Sequence, residues 1–393
     1  MTTSTKWRVW CVADGTGPTA SLSNHCVVVV TQSSWHEPPR IRHQVTRQMA
    51  RFTHVFYVEI PSQWRRITRT TTEEIAPNIT RVVLGNPHRI PRRVHQWIDP
   101  LRAMLNRHYL SEITELESFG DKPVLINFVC EFTEAMRSEA FAITSYLCND
   151  SFVTFATDWW ARRAIASRER ETAAAADLCL TVSTVLAERL RQSNPNTTVL
   201  LPGHELTLRP PMPRRPGPIR VGFMGYLDHR LHYDWLIDAV RAGMNVHLVG
   251  PVAAHSDALT QLMAMPGVTA HGARVGEEMQ AILMDMDVLV VPYSVEGTGM
   301  LPMTAPNKLY TYLAVAKPIV VSALPHLVKM EDGLIYEAKT SEGFVAAIRR
   351  AVEEDDDRLR GRRQSIAGEN TWNSRGDELR TMLEDGLARR SVR

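Results

Sequence analysis

Apolar runs and amphipathic stretches alternate along most of this chain. Cys26–Thr31 is a continuous, largely β-branched run that predicts a buried strand. A polar loop follows through Pro39, then a helical pattern from about Arg40 to Arg51 and a second strand from His54 to Ile60. Val124–Val129 predicts another strand ending at Cys130-Glu131, and Ser151–Ala156 lies beside a further short element. Leu178–Val182 is one more strand, after which Ser183 caps a helix through Arg191. The stretch 209–218 holds five prolines and cannot continue a helix or an interior strand, because proline fixes φ and lacks the amide donor. A second series opens at Ile219–Gly225 and continues with strands at Asn245–Val249, Val268–His271, Val288–Val291 and Pro318–Val321. Alternation of this kind predicts an α/β fold with two doubly wound, Rossmann-like halves, whose ligands bind beyond the carboxyl ends of the strands.

A chain of 393 residues is long enough for two such domains, each with its own core. The pattern divides it into an N-terminal domain over 1–208, a linker over 209–218, a C-terminal domain over 219–368 and a closing segment over 369–393, where Trp372 opens an amphipathic helix. With 44% hydrophobic residues, the composition excludes a disordered or fibrous class. No cleavable signal pattern starts the chain and no apolar run approaches about 18 residues, so no spanning helix is expected. Five scattered cysteines without a Cys-x-x-Cys spacing read as reduced thiols of a cytoplasmic protein. The fourteen histidines form no metal-ligand spacing.

The net charge of +2 hides a local excess. Between Pro61 and Leu110 nine arginines face three acids, with Trp64, Trp97 and Tyr109 interleaved. Such a patch fits an anionic membrane surface, a nucleic-acid backbone, or nothing more than a solvated basic face.

One segment carries most of the chemistry. After the run Val288–Val291 and Tyr293, the stretch Pro306-Asn307-Lys308-Leu309-Tyr310-Thr311-Tyr312-Leu313-Ala314 leads to Lys317-Pro318-Ile319-Val320-Val321. It predicts strand, loop, short helix and strand, with one lysine where the helix begins. Backbone N–H groups, the positive helix end and the Lys308 ammonium all favour a diphosphate there.

The segment resembles the nucleotide-binding segment of bacterial GT-B glycosyltransferases, of the group 1 type found in exopolysaccharide and teichuronic acid biosynthesis. Pro306, Lys308, Tyr312, Leu313, Ala314, Lys317 and Pro318 match; Thr311 stands at the family's ribose-binding glutamate and Ala316 at its glycine. The resemblance implies a donor site built from Gly225 and Tyr226 after the first strand of the second series, with Arg230 adding charge. Ala273 and Arg274 would present groups to the nucleobase, Tyr293 would reach a phosphate or sugar hydroxyl, and Asn307, Lys308, Leu309 and Thr311 would hold the diphosphate and ribose. Leu147–Phe152 resembles the aspartate-bearing segment of related inverting enzymes, which makes Asp150 the candidate general base and Glu131 the second. His36 and Arg40 follow the first strand and would line the acceptor side.

The implied activity is transfer of a sugar from a nucleotide diphosphate, UDP by expectation, to a lipid-linked or polysaccharide acceptor at the inner face of a membrane. Neither cofactor nor metal is expected: Lys308 and helix ends supply positive charge, and no Asp-x-Asp is expected near a strand end. A nucleotide-sugar epimerase of the same fold and a non-catalytic sugar-nucleotide or polysaccharide-binding module are the alternatives. Nucleic acid is the least favoured partner.

Overall fold

The computed structural model describes residues 21–391 except 61–68, 86–98, 117–120, 156–157, 295–305 and 307. Much of the basic stretch, including Arg65, Arg66, Arg89, Arg92, Arg93, Trp64 and Trp97, therefore lies outside the described residues, as does Asn307. The chain folds into two compact units. One comprises residues up to Thr181, Ala187–Thr198 and from Gly376 onward; the other comprises Val182–Leu186 and Val199–Arg375.

The first unit runs β1 (Val27–Thr31), α1 (Ile41–Met49), β2 (Val55–Glu59), β3 (Thr71–Ala76), β4 (Ile79–Val83), α2 (Asp99–Thr114), β5 (Val124–Asn127), α3 (Thr133–Met136), β6 (Ile143–Cys148), α4 (Trp159–Ala175), β7 (Leu178–Thr181), α5 (Thr184–Arg191) and β8 (Thr197–Val199). Helix α5 straddles the division between the two units. The sheet order is β3-β4-β2-β1-β5-β6-β7-β8. β1 pairs in parallel with β2 on one side, Val27 opposite Val55, and with β5 on the other, Val27 opposite Val124. The order reverses between β1 and β5, which makes their carboxyl ends the crevice of this sheet.

Three elements depart from the sequence expectation. The β3–β4 hairpin is antiparallel; its edge strand β3 is exposed and Thr- and Glu-rich, whereas β4 buries Ile79, Val82 and Val83. Strand β6 is fully buried but holds Thr144 and Ser145 at its centre. Their hydroxyls are satisfied inside, Thr144 Oγ1 donating to Asp177 at 3.0 Å and Ser145 Oγ to the Leu125 carbonyl at 2.8 Å. Residues 152–155 form a short 3-10 turn after β6 rather than a strand.

The second unit runs β9 (Arg220–Met224), α6 (Tyr233–Arg241), β10 (Asn245–Val249), α7 (Asp257–Ala264), β11 (Val268–Gly272), α8 (Gly276–Met284), β12 (Val288–Val291), α9 (Leu309–Ala314), β13 (Ile319–Ser322), β14 (Ile335–Ala338), α10 (Ser341–Glu353) and α11 (Asp357–Glu369). Its sheet is parallel throughout, in the order β11-β10-β9-β12-β13-β14, and reverses between β9 and β12. Both faces of the sheet bury aliphatic residues, among them Val221, Phe223, Leu236, Leu289 and Leu313. Such burial is the main stabilising contribution, about 25 cal/mol per Å² of apolar area.

The proline-rich stretch has no helix or strand and lies along this unit. Arg214 and Arg215 pair with Asp287 and Asp285, and Lys317 Nζ donates to the Met212 carbonyl at 3.1 Å. Asp285-Met286-Asp287 is an Asp-x-Asp beside a strand, which corrects the expectation that none occurs there. It sits at the amino end of β12, and both carboxylates are also engaged by Arg220, at 3.0 and 2.9 Å.

The last helix, α12 (Trp372–Ser391), starts behind a Thr371 cap whose Oγ1 accepts the Ser374 N–H at 3.1 Å. From Gly376 on it belongs to the first unit. There Glu384 accepts the Leu22 N–H at 3.0 Å, Arg390 pairs with Asp177 at 2.6 Å, and Gly386 packs so closely on Ile143 that an added Cβ would fall 2.1 Å from its Cδ1. Among the described residues no helix is long and apolar enough to cross a membrane.

Candidate functional site

Three glycine loops meet at the carboxyl ends of β9, β10 and β11. Gly225, Gly250 and Gly272 have φ of 143°, 149° and 68°, values that L side chains rarely adopt. The Gly225 N–H donates to the Val249 carbonyl and the Gly250 N–H to the Gly272 carbonyl, so backbone packs directly on backbone. This leaves the end of β9 bare of side chains.

Lys308 lies against that bare backbone. It is buried, its Nζ donates to the Tyr293 hydroxyl at 2.8 Å, and the ammonium faces the Phe223 ring at 4.2 Å and the Tyr293 ring at 4.6 Å. Burial pushes its pKa below the ordinary lysine value, opposed in part by Tyr293. Arg230 approaches the Tyr293 ring at 5.9 Å and is forked onto Asp228 at 2.6 Å. Burial would raise the Asp228 carboxyl, yet the hydrogen bonds from Arg230 outweigh it and hold the pKa down. Among the described residues, Lys308 and Arg230 set two cations against the one acid Asp228, a setting in which a buried ammonium favours a further anion.

The loop after β9 and the segment after β12 are laced together. Leu231 bridges Tyr293, His232 N–H donates to the Pro292 carbonyl at 2.8 Å, and Ser294 N–H to the Arg230 carbonyl at 2.7 Å. Ser322 Oγ donates to the Tyr293 carbonyl at 2.6 Å. From the other side the Tyr312 hydroxyl accepts the Met224 N–H at 2.8 Å and ties α9 to the end of β9. Sequence reading matched Tyr312 to a motif without giving it this task.

The structure brings Gly225, Arg230, Tyr293 and Lys308 together. Tyr226 is half-buried beside them. Ala273 and Arg274 are exposed beyond the edge strand β11, where Arg274 donates to the Ala273 carbonyl at 2.8 Å and pairs loosely with Glu278. Thr311 is buried within α9. The Leu309 side chain is in the core and its N–H donates to the Pro306 carbonyl at 2.8 Å.

In the first unit Asp150 is exposed in the turn after β6, and its Oδ1 accepts the Ser151 N–H at 2.8 Å. Glu131 is buried in the turn between β5 and α3 and paired with Arg168 at 3.2 Å. His36 and Arg40 are both exposed, Arg40 pairing with Glu37 at 3.6 Å. The residue between them and the sheet that sequence reading passed over is Arg42, whose Nη1 donates to Thr31 Oγ1 at 3.3 Å.

Two parallel Rossmann-like sheets, each with its crevice at a reversal of strand order, are the architecture of the GT-B glycosyltransferases. Residues 218–354, most of the second unit, match the family described as Glycosyl transferases group 1. A Bacillus subtilis (strain 168) protein, TuaH, whose name provisionally makes it a teichuronic acid biosynthesis glycosyltransferase, is 26% identical over 162 residues, 39% of this chain; the chain spans 40% of that relative's length. Among solved structures, an alpha,alpha-trehalose-phosphate synthase (UDP-forming) from Burkholderia vietnamiensis superposes with a TM-score of 0.68 at 12% identity, over 94% of this chain and 99% of the other. A trehalose-6-phosphate protein from E. coli bound with UDP-2-fluoro glucose gives 0.64 at 11%, over 91% and 99%. At these identities the likeness establishes the fold.

Proposed function

We propose that the protein is a glycosyltransferase that moves a sugar from a nucleotide diphosphate, UDP being the favoured carrier, to a lipid-linked or polysaccharide acceptor. The observation that carries this reading is the buried Lys308 ammonium, held on the Tyr293 hydroxyl at the strand-order reversal of the second sheet, with no carboxylate in ion-pair distance among the described residues. A departing diphosphate supplies a counter-anion. Positive charge fixed in advance stabilises it most as the glycosidic bond breaks. In this reading Lys308 and Arg230 serve the leaving group without a metal, Gly225 lets the diphosphate approach, and the first unit binds the acceptor. Asp150, exposed and engaged with the neighbouring backbone N–H, is the general base that takes the acceptor proton. The B. subtilis relative's name favours a cell-envelope polysaccharide, and the UDP-bound neighbour favours UDP.

Calorimetric titration of UDP, GDP and ADP into wild type and Lys308→Ala, without added metal, tests the reading. Preferential UDP binding that is lost in the variant supports it. Failure of all three nucleotides refutes it. Release of free nucleotide and an altered sugar without any acceptor would identify an epimerase instead.

A further inference from the structure

Arg42 is the second residue of α1 and lies at the crevice of the first sheet, beside Thr31 at the end of β1 and Phe128 just past β5. Its guanidinium is partly buried and lies over the Phe128 ring at 5.9 Å. Nη1 is fixed by two hydroxyls, Thr31 Oγ1 and Ser33 Oγ. The loop carrying Ser33 is itself held, because Tyr57 donates its hydroxyl proton to the Ser33 carbonyl at 3.0 Å. Nε is buried without a hydrogen-bond partner, and Nη2 makes no hydrogen bond to any described residue.

What sets Arg42 apart is its lack of an acid. In the same unit Arg81 holds Glu59 at 2.7 Å and Arg168 holds Glu131 at 3.2 Å. Among the described residues no carboxylate comes within ion-pair distance of Arg42; Glu37 and Asp150 act on it only from farther away, and Glu37 is turned to Arg40. Burial pushes the guanidinium pKa down, as expected for a charge with only neutral dipoles around it. Taking a guanidinium out of water onto two hydroxyls is costly unless a counter-ion completes the site.

We propose that Arg42 binds the oxyanion of an acidic acceptor, a phosphate or a carboxylate, through Nη2. Both anions accept charge-assisted hydrogen bonds from a guanidinium. The position puts the anion at the crevice of the first sheet, with Asp150 close enough to be felt by the same guanidinium. That the anion belongs to a sugar acceptor rests on the glycosyltransferase reading; that Arg42 binds an oxyanion does not.

The test uses the full chain carrying Lys308→Ala, which removes the buried ammonium of the nucleotide site. Inorganic phosphate and sodium acetate are titrated calorimetrically into this protein and into the same protein with Arg42→Gln or Arg42→Lys. At least one anion is expected to bind, about tenfold more weakly with Gln and with partial recovery by Lys; which anion binds distinguishes a phosphorylated from a uronic-type acceptor. Thermal unfolding of Arg42→Gln is expected at or above the parent temperature, since an unpaired buried charge is removed. No binding of either anion, or equal binding by the Gln variant, overturns the proposal. A collapse in melting temperature with anion binding retained also overturns it, by giving Arg42 a purely structural role. UDP titration of Arg42→Gln with Lys308 intact keeps the two readings apart: UDP binding is expected to be retained there whatever the anion result.

Discussion

The Lys308 ammonium occupies the space that a side chain at position 225 would need: a Cβ built on Gly225 falls 2.7 Å from Nζ. With φ at 143° the position also lies outside the range that alanine tolerates. Gly225→Ala is therefore expected to displace Lys308 and weaken UDP binding about tenfold, roughly 1.4 kcal/mol, read by calorimetry. Unchanged affinity would remove Gly225 from the donor site.

Tyr293 fixes the same ammonium. Tyr293→Phe keeps the ring and deletes the 2.8 Å hydrogen bond, and is expected to cost a few-fold in UDP affinity, about 1 kcal/mol, with the fold intact. Raising the pH acts through the same group. Burial lowers the folded-state pKa of Lys308, so the positive charge is lost earlier on the alkaline side than in an ordinary lysine. UDP affinity should fall on the alkaline side at a lower pH than an ordinary lysine would dictate, and Lys308→Arg should flatten that fall.

Asp150 and Glu131 separate by what surrounds them. Asp150→Asn is expected to abolish transfer while UDP affinity and melting temperature stay near wild type. Glu131→Gln leaves the buried Arg168 without its carboxylate and is expected to lower stability by about 3 kcal/mol, seen as a reduced denaturation midpoint. Full activity in Asp150→Asn would transfer the base role elsewhere.

Ala316 adopts φ 60° just past the end of α9. A left-handed alanine costs about 1 kcal/mol, so Ala316→Gly is expected to stabilise the protein despite the added chain entropy, by up to that amount. A drop in melting temperature would show that no strain is stored there.

Acid should destabilise the chain through its histidines. Burial depresses the pKa of His43, His54, His204, His247 and His271 in the folded state. His43 shows why: its Nδ1 accepts the Arg40 N–H at 3.0 Å, which a protonated ring cannot do. The unfolded chain binds protons first, so stability is full above the ordinary histidine pKa near 6.5 and declines as pH falls through it toward the lower folded values. Melting temperature measured from pH 7.5 down to 5.5 should decrease, and His43→Gln should lessen the slope.

The second unit was largely legible because β9, β12 and β13 are mostly apolar runs and its lysine stands in a spaced motif; the half-exposed β14 went unread. The first was less so. An exposed edge strand such as β3 has no apolar face to announce it, and β6 hides Thr144 and Ser145 in the core. The site followed the same division. Lys308 and Gly225 are signalled by residue type and spacing, whereas the value of Arg42 over Arg40 depends on which of two neighbouring arginines has an acid beside it. Leu309 is a motif position whose side chain and amide are both engaged in the fold.

The course of α12 bears on how the molecule is made. Because Glu384, Gly386 and Arg390 complete contacts with Leu22, Ile143 and Asp177, the first unit is not contiguous in the chain. During synthesis its strands emerge long before the turns that finish it, and they must wait while the whole second unit is translated. A fragment ending near residue 208 would stay aggregation-prone, and supplying residues 372–391 as a separate peptide should rescue its solubility.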